Sequence, residues 1–202
     1  MSATSRRLLL AAMAALSLAA CSKGGGAKVA DDEMTLGDAN AKVTVIEYAS
    51  ASCVHCARFN SDVFPEFRKK YIDTGKVRYV FREFLTPPVQ LAAAGFLLAR
   101  CAGKDKYFSV LDAVFRGQEE MAQTNDIRGV LLRIAQSAGL SEDQFTACIS
   151  DEKALKALND RVQKATTEEK IESTPTFIVN GKKMVGEQTM ADFDAAIQPL
   201  LK

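Results

Sequence analysis

The chain of 202 residues contains no tryptophan and a single histidine, His55. The missing tryptophan decides nothing, but other shortages are informative. Lys+Arg 26 against Asp+Glu 25 gives a formal net charge of +1, and neither sign gathers into a long run. With no basic stripe to lie along a polyanion, a nucleic-acid partner is not expected. The uncharged stretches Leu8 to Leu18 and Val89 to Ala99 are too short to cross a bilayer comfortably. Cysteines are few, five in all, and only Cys53 and Cys56 are close neighbours. Such a pair is half of a zinc site, but no second close pair completes it, so no metal is expected. A haem attachment motif fails as well, because Ala57 and not histidine follows Cys56. No cofactor is expected.

The N-terminus reads as an address rather than a structural element. Arg6 and Arg7 form a charged n-region, and Leu8 to Leu18 an apolar core of the length a secretory signal needs. The run ends Leu18-Ala19-Ala20-Cys21, which resembles a bacterial lipoprotein signal in which Cys21 is acylated and becomes the mature N-terminus. An ordinary signal cleaved after a small residue, and export through the twin arginines, are the alternatives. Residues 1–20 are thus a signal peptide. Losing their two arginines leaves 24 basic against 25 acidic residues, a net charge of −1. Residues 21–33, with Gly24-Gly25-Gly26, have the composition of a flexible tether between a lipid anchor and a folded domain.

If Cys21 carries lipid, the remaining four cysteines make two pairs, as an exported protein requires. Cys101 and Cys148 would close a loop of roughly 48 residues, constraining the unfolded chain by about 4 kcal/mol. The other pair, Cys53-Val54-His55-Cys56, follows the apolar run Val43 to Tyr48 and precedes apolar residues at helical spacing, Phe59, Val63, Phe67 and Tyr71. It sits where a strand ends and a helix begins. A sulfur there faces unpaired backbone N–H groups and the positive end of the helix dipole, so its thiolate is favoured. His55, as an imidazolium between two thiols, would favour it further. Six residues upstream, Glu47 lies in a mostly apolar strand, either pointing outward or buried and tied to the site.

Along the chain, Met34 to Asp38 begins as a short edge strand, and Val43 to Tyr48 is a central one. A helix from Cys53 to about Ile72 is kinked by Pro65, and Val77 to Arg82 alternates as the next strand. This is a βαβ unit. After Pro87-Pro88 come helices over Val89 to Ala99, Lys104 to Phe115, Asp126 to Ala138, Ser141 to Ile149 and Glu152 to about Glu168, with Thr124-Asn125 and Gly139 as punctuation. A strand at Thr174 to Val179, a turn at Asn180-Gly181, a partner strand Lys182 to Val185 and a Thr189-capped helix Met190 to Leu201 complete it. The composition describes an α/β domain, 34–87 and 171–202, carrying an all-helical insertion, 88–170.

Leu36-Gly37-Asp38, Val45-Ile46-Glu47-Tyr48, Cys53-Val54-His55-Cys56 and Thr174-Pro175-Thr176-Phe177-Ile178-Val179-Asn180-Gly181 together resemble the DsbA-like thioredoxin-fold oxidoreductases, over roughly residues 35 to 200. Arg100-Cys101-Ala102 and Phe145-Thr146-Ala147-Cys148 resemble the two cysteines that many members join within their helical insertion. The resemblance implies a thioredoxin-like fold with an inserted all-helical domain. It assigns Cys53 as nucleophile, Cys56 as the buried resolving thiol, and Glu47 as a buried acid exchanging protons near Cys56. It makes Pro175 cis beside the thiols, with Thr174 pairing an extended substrate. The implied activity is oxidation of the free thiols of exported proteins in the periplasm, with a membrane quinone-linked thiol oxidase of the DsbB type restoring the disulfide. A reductase or isomerase of the same fold stays open, because Val54 stands where the strongest oxidases carry proline and Thr174 recurs in reductases. The short tether leaves no room for the dimerisation domain of periplasmic isomerases, so a monomer is expected. A metal-binding module and an inert lipid-anchored scaffold are the readings from other classes.

Overall fold

A computed structural model describes residues 29–30 and 32–202, so the signal segment and Cys21 lie outside the described residues. A three-residue strand β1 (Met34–Leu36) precedes β2 (Val43–Ala49), whose alternation sends Val45, Glu47 and Ala49 to one face and Ile46 and Tyr48 to the other. The segment expected as one kinked helix is three pieces: α1 (Val54–Asp62), a short α2 (Phe64–Phe67) and a π-helical turn, Arg68–Ile72. Pro65 has no N–H to continue the first helix, so the chain restarts at Val63 with the proline in the first turn of α2. Cys53 is the N-cap of α1 rather than its first helical residue. β3 (Val77–Glu83) then runs parallel to β2, completing the βαβ crossover.

Five helices follow before the sheet resumes: α3 (Val89–Cys101), α4 (Lys104–Thr124), α5 (Ile127–Ser137), α6 (Glu142–Ile149) and α7 (Glu152–Thr167). α4 runs nine residues beyond Phe115, until Asn125 turns it off in the left-handed conformation at φ 56°. Ser141 caps α6 through a capping box with Gln144, and Asp126 and Asp151 cap α5 and α7. β4 (Thr176–Val179) starts two residues later than the sequence pattern suggested, after the cis Thr174–Pro175 peptide. The Asn180-Gly181 turn leads into β5 (Lys182–Val185), and Thr189 caps α8 (Met190–Leu201).

The sheet order is β1-β3-β2-β4-β5, with β2–β3 parallel and the other pairs antiparallel. One face carries the main core, where Phe59, Phe67, Phe177 and Phe193 interlock at ring separations of 4.7 Å (Phe59–Phe177), 4.8 Å (Phe67–Phe193) and 5.1 Å (Phe177–Phe193). Such pairs add about 0.5–1.5 kcal/mol each beyond area burial, and they fix α1 and α8 against β4. Ile46, Tyr48, Val80, Phe84 and Ile178 on the other face pack with Ala165 of α7. The helical insertion therefore touches both the sheet and the loop before α1. α3 comes close there: a Cβ on Gly95 would stand 3.1 Å from Cβ of Ala51. Cys101 and Cys148 are joined by a disulfide, Cα atoms 5.9 Å apart, linking α3 to α6. Among the described residues no helix is long and apolar enough to cross a membrane.

Candidate active site

β2 ends at Ala49, and the turn Ser50–Cys53 redirects the chain into α1. Its hydroxyl network is buried: Ser52 Oγ donates to the carbonyl of Thr86 at 2.8 Å, and the amide of Thr86 donates to Ser50 Oγ at 3.2 Å. The turn closes through the Cys53 amide, which donates to the Ser50 carbonyl at 3.0 Å. From the helical insertion, Gln118 Nε2 donates to the carbonyls of Ala51 at 2.8 Å and Cys53 at 3.4 Å. These bonds fix where the first sulfur sits. Among the described residues Cys53 and Cys56 are free thiols, Cys53 partly exposed and Cys56 fully buried.

As N-cap, Cys53 accepts the Cys56 amide on Sγ at 3.3 Å. Its thiol is held down at about 5, against an ordinary value of about 8.5. The Cys56 thiol contributes most by bonding the anion, burial works in the opposite sense, and the Thr174 side chain and the amides of Cys56 and His55 add further lowering. Cys56 moves the other way, pushed far up by burial, by its bond to Cys53 and by the charge of Glu47. One thiol is a ready anion and its neighbour a reluctant one.

Glu47 is buried, at 2% exposure, opposite Phe81 of β3 and Phe177 of β4. Its carboxyl is pushed up to about 8, chiefly by burial; a hydrogen bond from the Tyr79 hydroxyl opposes this, and the charge of Cys53 adds to it. The choice left open between an outward and a buried carboxylate thus falls to the buried one. Near neutral pH the group holds a proton. A cavity of about 470 Å³ between α1, α2 and α4, with Phe64, Phe108 and Phe115 in its wall, reaches Glu47 and Tyr79.

Thr174 lies beside Cys53, whose thiol donates to the Thr174 carbonyl at 3.4 Å, and the cis Thr174–Pro175 peptide follows directly. The His55 ring makes an Nδ1 contact with Glu187, and the backbone amide of His55 favours the Cys53 thiolate. The sequence reading did not single out Gln118, Tyr79 or Glu187. Tyr79 alternates with Val77 on a recognisable strand, but nothing local marks the other two. Cys101 and Cys148 lie within the helical insertion and take no part in this site. No group of three or more His, Cys, Asp or Glu side chains among the described residues is placed to hold a metal ion.

Comparison with known proteins extends the picture. The thioredoxin family model matches residues 29–199. A Rickettsia bellii protein, provisionally named a protein-disulfide oxidoreductase, is 37% identical over 155 residues, covering 76% of this chain and 59% of its own length. The chain spans about six-tenths of the length of this and the similar Rickettsia proteins. The crystal structure of Wolbachia pipientis α-DsbA1 superposes with a TM-score of 0.79 at 30% identity, covering 86% of this chain and 92% of that one. Oxidised BdbD from Bacillus subtilis gives 0.70 at 25% identity, covering 84% and 92%. A Cys-x-x-Cys pair at a helix N-terminus, the cis-proline loop beside it, a helical insertion and these matches agree: the chain belongs to the thioredoxin family, in its DsbA-like branch of thioredoxin folds with a helical insertion.

Proposed function

We propose that this chain is a thiol:disulfide oxidase that passes its Cys53–Cys56 disulfide to the free thiols of exported proteins. The observation that carries the reading is the asymmetry of the pair, a Cys53 thiolate favoured down to about 5 beside a Cys56 thiol pushed up by burial. Stabilising the Cys53 anion stabilises the reduced pair, and a stable reduced pair makes the disulfide a strong oxidant.

In the forward reaction a substrate thiolate attacks Sγ of Cys53, forming a mixed disulfide while the Cys53–Cys56 bond breaks. The electron pair leaves on Cys56, whose thiolate is costly in its buried place; protonated Glu47 supplies the proton. A second substrate thiolate then attacks the substrate sulfur of the mixed disulfide, forming the substrate disulfide and expelling Cys53 as a low-pKa thiolate. The substrate loses two electrons and two protons: the pair gains both electrons, one proton restores Glu47 after its transfer to Cys56, and the other goes to solvent because Cys53 leaves ionised. Ionised Cys53 no longer donates to the Thr174 carbonyl, which leaves that acceptor for a main-chain N–H of an extended substrate beside Pro175.

Reoxidation would fall to a membrane quinone-linked thiol oxidase of the DsbB type. Cys21, acylated, would hold the protein at the membrane of the bacterial envelope, with residues 21–33 as tether and the folded part a monomer facing the periplasm. The deciding measurement is the reduction potential of Cys53–Cys56 against glutathione. An oxidising value, well above that of the cytosolic glutathione pool, is expected; a strongly reducing one overturns the oxidase in favour of a reductase.

A further inference from the structure

The loop 186–189 between β5 and α8 ties the proline loop to the helix that carries the thiols. Gly186, at φ +84°, turns the chain back so that its amide donates to the Pro175 carbonyl at 2.9 Å. A residue with a side chain adopts that φ only with strain. One position further on, the Glu187 carboxylate reaches α1, where Oε1 contacts Nδ1 of His55 and accepts from Nη1 of Arg58 at 2.7 Å. His55 and Arg58 are three residues apart on one helix face, so a single carboxylate spans both. The ring that the sequence placed beside the thiolate is thereby held against an anion, two residues from Cys53.

We propose that Glu187 is a positioning residue that limits the oxidising strength of the pair by holding the His55 ring and the Arg58 guanidinium against its own negative charge. This rests on the oxidoreductase reading above. The sign follows from the charges in contact. The Glu187 carboxyl is held below its usual range, first by the His55 bond and then by Arg58, so it is an anion set against the donors of this helix face, and an anion near a thiolate disfavours it. Facing Cys53 are Cys56 on α1 and the carboxyl of Glu47 on β2; facing Glu187 are His55 and Arg58. Removing the Glu187 charge leaves the Arg58 guanidinium without its counter-charge and the His55 ring without its anion, one turn from the sulfur. The thiolate is then favoured more, not less.

The effect is moderate because the cluster is open to solvent, with side-chain exposures of 56% for His55 and 37% for Glu187. The test titrates the ultraviolet absorbance of the Cys53 thiolate in the full reduced chain, comparing wild type with Glu187→Gln, Glu187→Asp, His55→Ala and the double variant His55→Ala/Glu187→Gln. Glu187→Gln is expected to lower the midpoint by about 0.3–0.7 pH unit at low salt and to make the disulfide more oxidising. Glu187→Asp keeps the charge and should stay near wild type, and in the His55→Ala background the shift should fall to less than half. A loop anchor without electrostatic effect would give an unchanged or raised midpoint in Glu187→Gln, or the same shift with and without His55, and either result overturns the proposal. A wild-type Cys53 that ionises like free cysteine instead removes the oxidoreductase reading, an outcome visible before any variant is made.

Discussion

Two glutamates on neighbouring strands are buried almost equally, Glu47 at 2% exposure and Glu83 at 3%, and the protein treats them in opposite ways. Glu83 sits at the end of β3 amid counter-charge. Arg100 Nε reaches its Oε1 at 2.6 Å, Arg161 donates to Oε2 at 2.9 Å from Nε and 2.5 Å from Nη2, and the Tyr107 hydroxyl donates at 3.1 Å. One carboxylate thus clamps the sheet to α3, α4 and α7. Glu47 lies in the middle of β2 with the Tyr79 hydroxyl as its hydrogen-bond donor and, among the described residues, no guanidinium or ammonium in an ion pair with it. Burial without a cation favours the neutral acid, whereas Glu83 has both its oxygens taken up by guanidinium donors. The first arrangement suits a group that must give up and recover a proton, the second a group that must stay put.

The largest expected consequence lies on the Glu83 side. Glu83→Ala strands two guanidiniums and a phenol in a part-buried pocket, which typically costs about 3–5 kcal/mol. Chemical denaturation should show that loss with little change in the Cys53 titration, since the groups that hold that thiol down are Cys56, Thr174 and the amides of Cys56 and His55. Removal of Glu47 should do the reverse. Its folded pKa, about 8, lies above the unfolded value of about 4.3, so the folded state holds the extra proton. Stability is then greatest below about pH 4.3 and falls as pH rises through that window toward 8. Glu47→Gln should flatten this dependence and raise stability at pH 7 by about 1–3 kcal/mol, read from denaturation midpoints across pH. The same variant should slow reduction of the Cys53–Cys56 disulfide at neutral pH, because Cys56 loses its proton source. A destabilised Glu47→Gln would show the carboxyl to be ionised in the folded state and erase the contrast.

Much of this could be read from residues alone. The helix-initial cysteine pair, the βαβ unit around it, the Asn180-Gly181 turn and the Thr189 cap are written in local patterns that the fold keeps. What the sequence could not show is what the third dimension adds. Arg116 to Gln123 is a polar run around Gly117 with no apolar stripe to announce a helix. Packing continues α4 through it all the same: a Cβ on Gly117 would meet Val130 Cγ1 at 3.0 Å, so only a bare backbone lies so close to α5. That continuation is what brings Gln118 to the carbonyls of Ala51 and Cys53. Glu83 and Glu187 were equally hidden, since their meaning depends on Arg161, 78 residues away, and on His55, 132 residues away. His55 shows the cost of reading one segment by itself: its position in the motif was plain, but its ring belongs to a carboxylate from the other end of the chain.

The finest test of the comparison removes a single oxygen. The Tyr79 hydroxyl donates to Glu47, and that bond is what draws the carboxyl down from the value burial would impose. It satisfies a buried oxygen of Glu47, as Arg100, Arg161 and Tyr107 satisfy those of Glu83. Tyr79→Phe keeps the ring among Phe64, Phe67 and Phe108 and deletes only the donor. Glu47 should then titrate higher, by about one pH unit, with a stability loss of about 1 kcal/mol for the bond. The pH at which disulfide reduction slows, set by the protonated fraction of Glu47, should move up with it, whereas the Cys53 thiolate titration should hardly change. A downward move would mean that Tyr79 withdraws protonation from the site by some route other than its bond to the carboxylate, and the parallel between one phenol and two guanidiniums would fail.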